Sequence, residues 1–243
     1  MALGGSDEAL DRWRRTGQLF EAALAKKPDD PDRQRNVALV EKYVGSVLDD
    51  RDEDEAALVH YRRALELDEK RLVTSRDNRL VQFDVSIDLA NVATIAETLN
   101  DLATAAAMYT RSLELRKQLS DSDPKDMLAR GRLGYVQTRL AGVERRSGDT
   151  RSAGVHARAA VQNQEGVLAA TADPITRRDL ASALVEFGQA EKSLAQRESA
   201  CAAFRRALGL LQAAGAETIG NVPYYVAEAT REAAACDRPE REH

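Results

Sequence analysis

Apolar residues along this chain recur at helical spacing, and the same arrangement returns four times. The segments RNVALVEKYVGSVL from Arg35, FDVSIDLANVATIA from Phe83, GRLGYVQTRLAGVE from Gly131 and RDLASALVEFGQAE from Arg178 begin 48, 48 and 47 residues apart. Each has an apolar residue at its third place (Val37, Val85, Leu133, Leu180) and another seven later (Val44, Val92, Leu140, Phe187). Seven residues is two helical turns, so these side chains share one face. A small residue follows the second of them: Gly45, Ala93, Ala141 and Gly188. It predicts a close approach to a neighbouring helix, which a larger side chain would prevent.

A second block keeps the same period. Ala57, Ala105, Ala153 and Ala200 each precede by four residues Tyr61, Tyr109, Ala157 and Phe204, and the face continues through Ala64, Ser112, Ala160 and Ala207. Short polar stretches separate the two blocks: DRDEDE at 50–55, LND at 99–101, SGD at 147–149 and AQRE at 195–198. These are turn signals, so each unit is predicted to be a helix, a turn and an antiparallel helix. The joints between units are polar too, and their Asp-Pro steps suit a helix start, with Asp as the cap and Pro in the first helical position. The expected layout is an N-terminal helix at 6–29, repeats at 30–77, 78–123, 124–173 and 174–215, and a final capping helix at 221–237, all in one stack over residues 1–243. Repetition at such a period builds a layered, quasi-one-dimensional fold whose end units need covers.

Composition agrees with an all-α chain. Of 243 residues, 43% are apolar, 31% charged and only 5% aromatic. That is enough for a core and argues against disorder. No stretch has the length and apolarity of a membrane span, so no membrane insertion by this chain is expected. With 35 basic and 40 acidic residues the net charge is −5, which disfavours general nucleic-acid binding. The charge is uneven, however. Residues 46–70 hold nine acids and four bases, whereas 125–160 hold eight bases and three acids, including Arg130, Arg132, Arg139, Arg145, Arg146, Arg151 and Arg158. That basic stretch is either a surface for an anionic partner or a set of solvated helix faces.

The small residues Gly45 and Gly188, the runs Ala57–Tyr61–Ala64 and Ala200–Phe204–Ala207, and the helix-pair layout resemble the tetratricopeptide repeat (TPR). The likeness covers about residues 30–215; it departs at Ala157, where the aromatic is missing, and in a repeat longer than the usual length of about 34. The ending CAAFRRALGLLQ, Cys201 to Gln212, resembles the regions attached C-terminally to bacterial serine/threonine kinases. The resemblance implies an α-solenoid, a right-handed superhelix of antiparallel pairs, acting in signalling as a protein–protein interaction scaffold that takes a protein or peptide segment on its concave face. The alternative is a regulatory domain that responds to a small molecule or signal peptide. By the same resemblance the wall would include Lys42 and Ser46, then Asn91 and Thr94, then Tyr135, Thr138, Arg139 and Arg145, and finally Gln189 and Lys192. Lys42, Asn91 and Arg139 stand in places like those of a carboxylate clamp, which Ser46 and Tyr135 leave incomplete.

Catalytic chemistry has no constellation here. His60 and His156 occupy equivalent places in repeats one and three, His243 ends the chain, and no phosphate-binding glycine loop, HExxH or paired CxxC occurs. Neither enzymatic activity nor a metal or cofactor is expected. Cys201 and Cys236 each lie about thirteen residues from the edge of a turn near 217–219, so in an antiparallel hairpin they fall level. They are read either as a disulfide that staples the last helix, which would favour an extracytoplasmic setting, or as two buried thiols. The expected location is cytoplasmic if the chain is complete, and outside the cytoplasm if it is a piece of a membrane-anchored kinase.

Overall fold

A computed structural model of the chain describes residues 3–214 and 223–237. Among them are ten helices and no strand: α1 (Leu3–Lys26), α2 (Pro31–Asp49), α3 (Asp54–Thr74), α4 (Arg79–Thr98), α5 (Leu102–Ser122), α6 (Met127–Arg146), α7 (Thr150–Thr171), α8 (Pro174–Ser193), α9 (Arg197–Ala214) and α10 (Pro223–Cys236). The expected turn near 217–219 and His243 lie outside the described residues. Contacts divide the chain into two compact units, residues 1–115 and 116–243.

The punctuation of the helices repeats as strictly as their faces. The first helix of each pair starts behind a capping side chain that accepts backbone N–H groups: Asp30, Asn78, Asp126 and Asp173. These oxygens satisfy donors that a helix start leaves without partners. Asp173 accepts from both the backbone N–H and the hydroxyl of Thr176, and these hydrogen bonds lower its pKa to about 2. Each turn inside a pair holds one residue of positive φ at the same repeat position: Asp52 (59°), Asn100 (60°), Gly148 (89°) and Ala195 (60°). The amides of the residues that follow, 53, 101, 149 and 196, bond back to the carbonyls of Leu48, Ala96, Glu144 and Glu191. This six-to-one closure ends a helix and turns the chain.

In the first unit α1 lies on α2, stacking Trp13 on Tyr43 with ring centroids 4.3 Å apart and burying Leu10 and Leu24. Val40, Val44, Tyr61, Leu65, Val85 and Leu89 form the core between α2, α3 and α4. Gly45 faces the ring of Tyr61, and a Cβ there would stand 2.8 Å from it. The small residue therefore makes room for the aromatic of its own partner helix. Gly188 repeats this against Phe204 in the second unit, at 2.7 Å. There Leu180, Leu184, Val185, Phe204 and Leu211 form the core of α8 and α9, and Ala229 and Ala233 of α10 close it. In repeat three Ala157 stands in place of the aromatic, and two turns further along α7 Gln164 packs against Gly134 and donates to the Gly131 carbonyl at 3.1 Å.

Candidate functional site

The faces of α6 and α8 bound a groove in the second unit. Its wider part, a cavity of about 500 Å³, is lined by Arg116, Met127, Leu128, Gly131, Arg132, Tyr135, Gln164, Val167, Thr171, Asp173, Ile175, Thr176 and Asp179. A second cavity of about 220 Å³ shares Tyr135, Gln164 and Asp179 with the first and adds Thr138, Arg139, Arg178, Ser182 and, from α10, Tyr225. The groove is thus apolar at one end and rich in hydroxyls and guanidinium groups at the other. Leu128 is 62% exposed, Ile175 55% and Tyr135 43%. Leu128 and Ile175 stand two residues after the caps Asp126 and Asp173, so the repeat itself places an apolar side chain on each rim. Arg178 pairs with Asp179 at 2.8 Å, and burial pushes the Arg132 guanidinium down from its ordinary value although Asp126 opposes this.

The groove exists because of what its side chains replace. In the first unit the equivalent positions hold a buried ionic network. Lys42 on α2 reaches Asp68 of α3 at 2.8 Å and Asp88 of α4 at 3.0 Å; Arg71 reaches Asp68 and Asp84, and Arg35 reaches Asp84 at 3.0 Å. Adding two periods of 48 turns Lys42, Arg35, Asp68 and Arg71 into Thr138, Gly131, Gln164 and Val167, and 48 + 47 turns Asp84 and Asp88 into Asp179 and Ala183. Long cations that fill the first joint become a hydroxyl, a glycine and a valine in the later one. Four of those six positions, 131, 164, 167 and 179, line the wider cavity and 138 lines the narrower one.

Electrostatics in the first unit keep its network closed. Burial pushes the Asp88 carboxyl well above the usual carboxylate range, against the pull of Lys42 and with help from Asp68. Burial would also raise Asp68, but Lys42 and the hydrogen bonds from Asp88, Lys42 and Arg71 hold it below its ordinary value. Lys42 is raised, its own desolvation outweighed by the two carboxylates. Burial thus favours the neutral form of Asp88, while Lys42 and Arg71 favour the charged form of Asp68.

The residues expected on a binding wall have separate fates. Tyr135, Thr138 and Arg139 line the groove. Lys42 is engaged in the ionic network and Thr94 bonds to Tyr109 at 2.9 Å. Ser46 is exposed beside Tyr61, whose hydroxyl it hydrogen-bonds, and Asn91 is half-buried. Arg145 pairs with Glu186 at 3.1 Å and reaches Tyr224. Gln189 and Lys192 bond to Glu228 and Glu232 of α10, the latter at 2.6 Å. Cys201 and Cys236 form a disulfide with Cα atoms 5.7 Å apart. His60 and His156 each face a carboxylate, Glu41 and Glu144. Leu128, Ile175, Arg178 and Asp179 were missed; for the first two the signal was an apolar residue two places after the caps Asp126 and Asp173, where the first repeat has Asp32.

No family model matches the chain, and no curated protein sequence matches it. Among solved structures it is similar to BtubC (BKLC) from P. vanneervenii, with 13% identity, 98% of this chain and 96% of that one covered, and a TM-score of 0.61. The likeness is one of fold: an all-α repeat of antiparallel helix pairs. Two solved TPR proteins align over most of their length at lower similarity: YrrB, described as having an unusual peptide-binding site (17% identity, 87% and 97% covered, TM-score 0.39), and the TPR2AB domain of yeast Sti1 in a pHSP90 complex (12%, 96% and 100%, TM-score 0.30). Among the described residues, no helix is long and apolar enough to cross a membrane and no cluster of His, Cys, Asp or Glu could hold a metal.

Proposed function

We propose that the chain is a non-catalytic interaction module that binds a peptide segment of a partner protein along the α6–α8 groove. The observation that supports this reading most is the groove's two-part character: exposed Leu128 and Ile175 flank a cavity of about 500 Å³, and Arg139 and Arg178 stand at its polar end. A segment that inserts an apolar side chain at the first end and presents a carboxylate at the second matches both. Preformed helices hold these contacts without the ordering cost that a flexible site would carry. The sequence resemblance implies the regulatory region of a signalling kinase as the setting.

A displayed peptide library panned against the whole chain is expected to enrich sequences with a bulky apolar residue followed by acidic ones. Leu128→Asp should weaken an enriched peptide at least tenfold and Arg139→Glu by a similar factor, with the far-ultraviolet spectrum unchanged. Enriched peptides that bind both variants as tightly as the parent would overturn the assignment, as would a library that enriches nothing.

A further inference from the structure

The last helix behaves as a ligand of the rest of its own unit. Helix α10 is 14 residues long, near the length at which an isolated helix in water is marginal, so its order depends on the seat it occupies. That seat has an apolar floor and a polar edge. Ala229 and Ala233 are buried against Leu184, Phe204 and Leu211 of α8 and α9. Glu228 and Glu232, four residues apart and so on one helical face, bond to Gln189 and Lys192, three apart on α8. The disulfide from Cys236 to Cys201 closes the far end over a separation of 35 residues.

We propose that the α8–α9 face beneath α10 is a docking site for an amphipathic helix with two glutamates one turn apart, and that the Cys201–Cys236 bond decides whether α10 or a partner's helix occupies it. The occupant is specified by the one already seated there: small residues toward the floor, acids toward Gln189 and Lys192. With the bond closed, α10 is held at its seat. A bond closing a loop of this size suppresses opening by a factor on the order of a few hundred. Cys201 and Cys236 line a surface cavity of about 280 Å³, Cys201 buried and Cys236 half-buried, so a reductant would approach the bond from that side.

The switching step is thiol–disulfide exchange with a dithiol. One thiolate of the reductant attacks a sulfur and forms a mixed disulfide, releasing the other cysteine as a thiolate; the reductant's second thiolate then displaces the remaining cysteine. The cysteine pair gains two electrons, the dithiol becomes a disulfide, and its two protons end on Cys201 and Cys236.

The test uses the full chain and, as probe, a fluorescent peptide of residues 223–237 carrying Cys236→Ser. Reduction with dithiothreitol should lower amide-exchange protection in α10 by a factor on the order of a few hundred, leave α2–α4 protected, and raise peptide binding in proportion. Cys201→Ala with Cys236→Ala should behave like the reduced protein without any reductant. A peptide with both glutamates changed to glutamine should bind at least tenfold more weakly. Equal α10 protection in both redox states, or equal peptide binding, overturns the switch. Loss of protection throughout the chain overturns it too, because the bond would then support the whole fold rather than the cap. A neutral peptide that binds as well as the acidic one overturns the docking chemistry. None of these measurements involves a groove ligand, so their outcome is independent of the peptide reading above.

Discussion

The two units solve the same packing problem with opposite chemistry. Between α2, α3 and α4 of the first unit, the space at the joint of two repeats is filled by Lys42, Arg35 and Arg71 against Asp68, Asp84 and Asp88. Between α6, α7 and α8 of the second, Thr138, Gly131, Gln164, Val167, Asp179 and Ala183 stand at the equivalent places, and a groove remains. The helix pairs recur at nearly the same period, but side-chain length and charge differ at the two joints, and so does the link between the helices: residues 75–78 in the first, and the shorter 172–173, with Ala172 at positive φ, in the second. Buried charges require partners that replace their solvation: Lys42 and Arg71 supply it to Asp68, whereas both carboxyl oxygens of Asp88 are buried without a well-aligned hydrogen bond and meet only the charge of Lys42. Where the cations are lost, the one acid kept, Asp179, is left to Arg178 on its own helix, and the volume the cations filled is free for a guest.

The largest effect expected from testing this comparison comes from breaking the sealed joint. Lys42→Met leaves Asp68 and Asp88 without their ammonium and should cost about 3–5 kcal/mol, the range for removing one partner of a buried pair, read as a lower urea midpoint. Replacing Lys42, Asp68 and Asp88 together by the Thr, Gln and Ala of the open joint should recover most of that loss, because no uncompensated charge stays buried. If the triple variant is as unstable as Lys42→Met, charge pairing is not what the joint requires.

A smaller effect is expected from pH. Asp88 holds its proton above its unfolded value, so its contribution to stability is complete at low pH and is lost as pH rises through the folded value. Asp68 has the opposite sign: its contribution is present above the unfolded carboxylate value and is lost as pH falls. The stability of α2–α4 should therefore fall as pH rises through the folded value of Asp88, and fall separately at the acid end as Asp68 protonates. Asp88→Asn, which has no proton to lose, should flatten the first decline and leave the second. A first decline as steep in the variant as in the parent would place its origin elsewhere.

The smallest change in stability, and the sharpest test of the comparison, is Gly131→Arg. It restores at the open joint the residue that Arg35 represents at the sealed one, with Asp179 standing where Asp84 stands. A Cβ at Gly131 meets nothing closer than Val167 at 3.7 Å, and leaving glycine in a helix interior gains roughly 0.5–1 kcal/mol. Stability should change by about 1 kcal/mol or less while peptide binding in the groove falls at least tenfold. Undiminished binding would mean that the wider cavity is not where the peptide sits.

Much of the fold was legible because its determinants are local and repeat. The period of 48, 48 and 47 residues is readable in the caps at 30, 78, 126 and 173 as well as in the apolar faces. The positive-φ turn residues keep it too, although Asp, Asn, Gly and Ala share no obvious signature there. The functional surface was less legible. The wall expected from the resemblance treated every first helix alike, so it included Lys42, Gln189 and Lys192, whose charges or amides are satisfied by Asp68 and Asp88 or by Glu228 and Glu232. Those partners lie 26–46 residues away, and only packing brings them near. It also treated the small residues at Gly45 and Gly188 as contacts between helices in general, whereas each accommodates one particular ring, Tyr61 or Phe204.

By itself the sequence determined the helices and their pairing, because helix periodicity and turn signals act over a few residues and recur at a fixed interval. The Asp-Pro reading placed the caps at Asp30 and Asp173 but not those at Asn78 and at Asp126, which lies three residues after the Asp123 of its Asp-Pro step. Tertiary structure decided which of the equivalent faces is filled and which is open. Occupancy of a buried joint depends on the lengths and charges of side chains drawn from three helices at once, and no single helix carries that information.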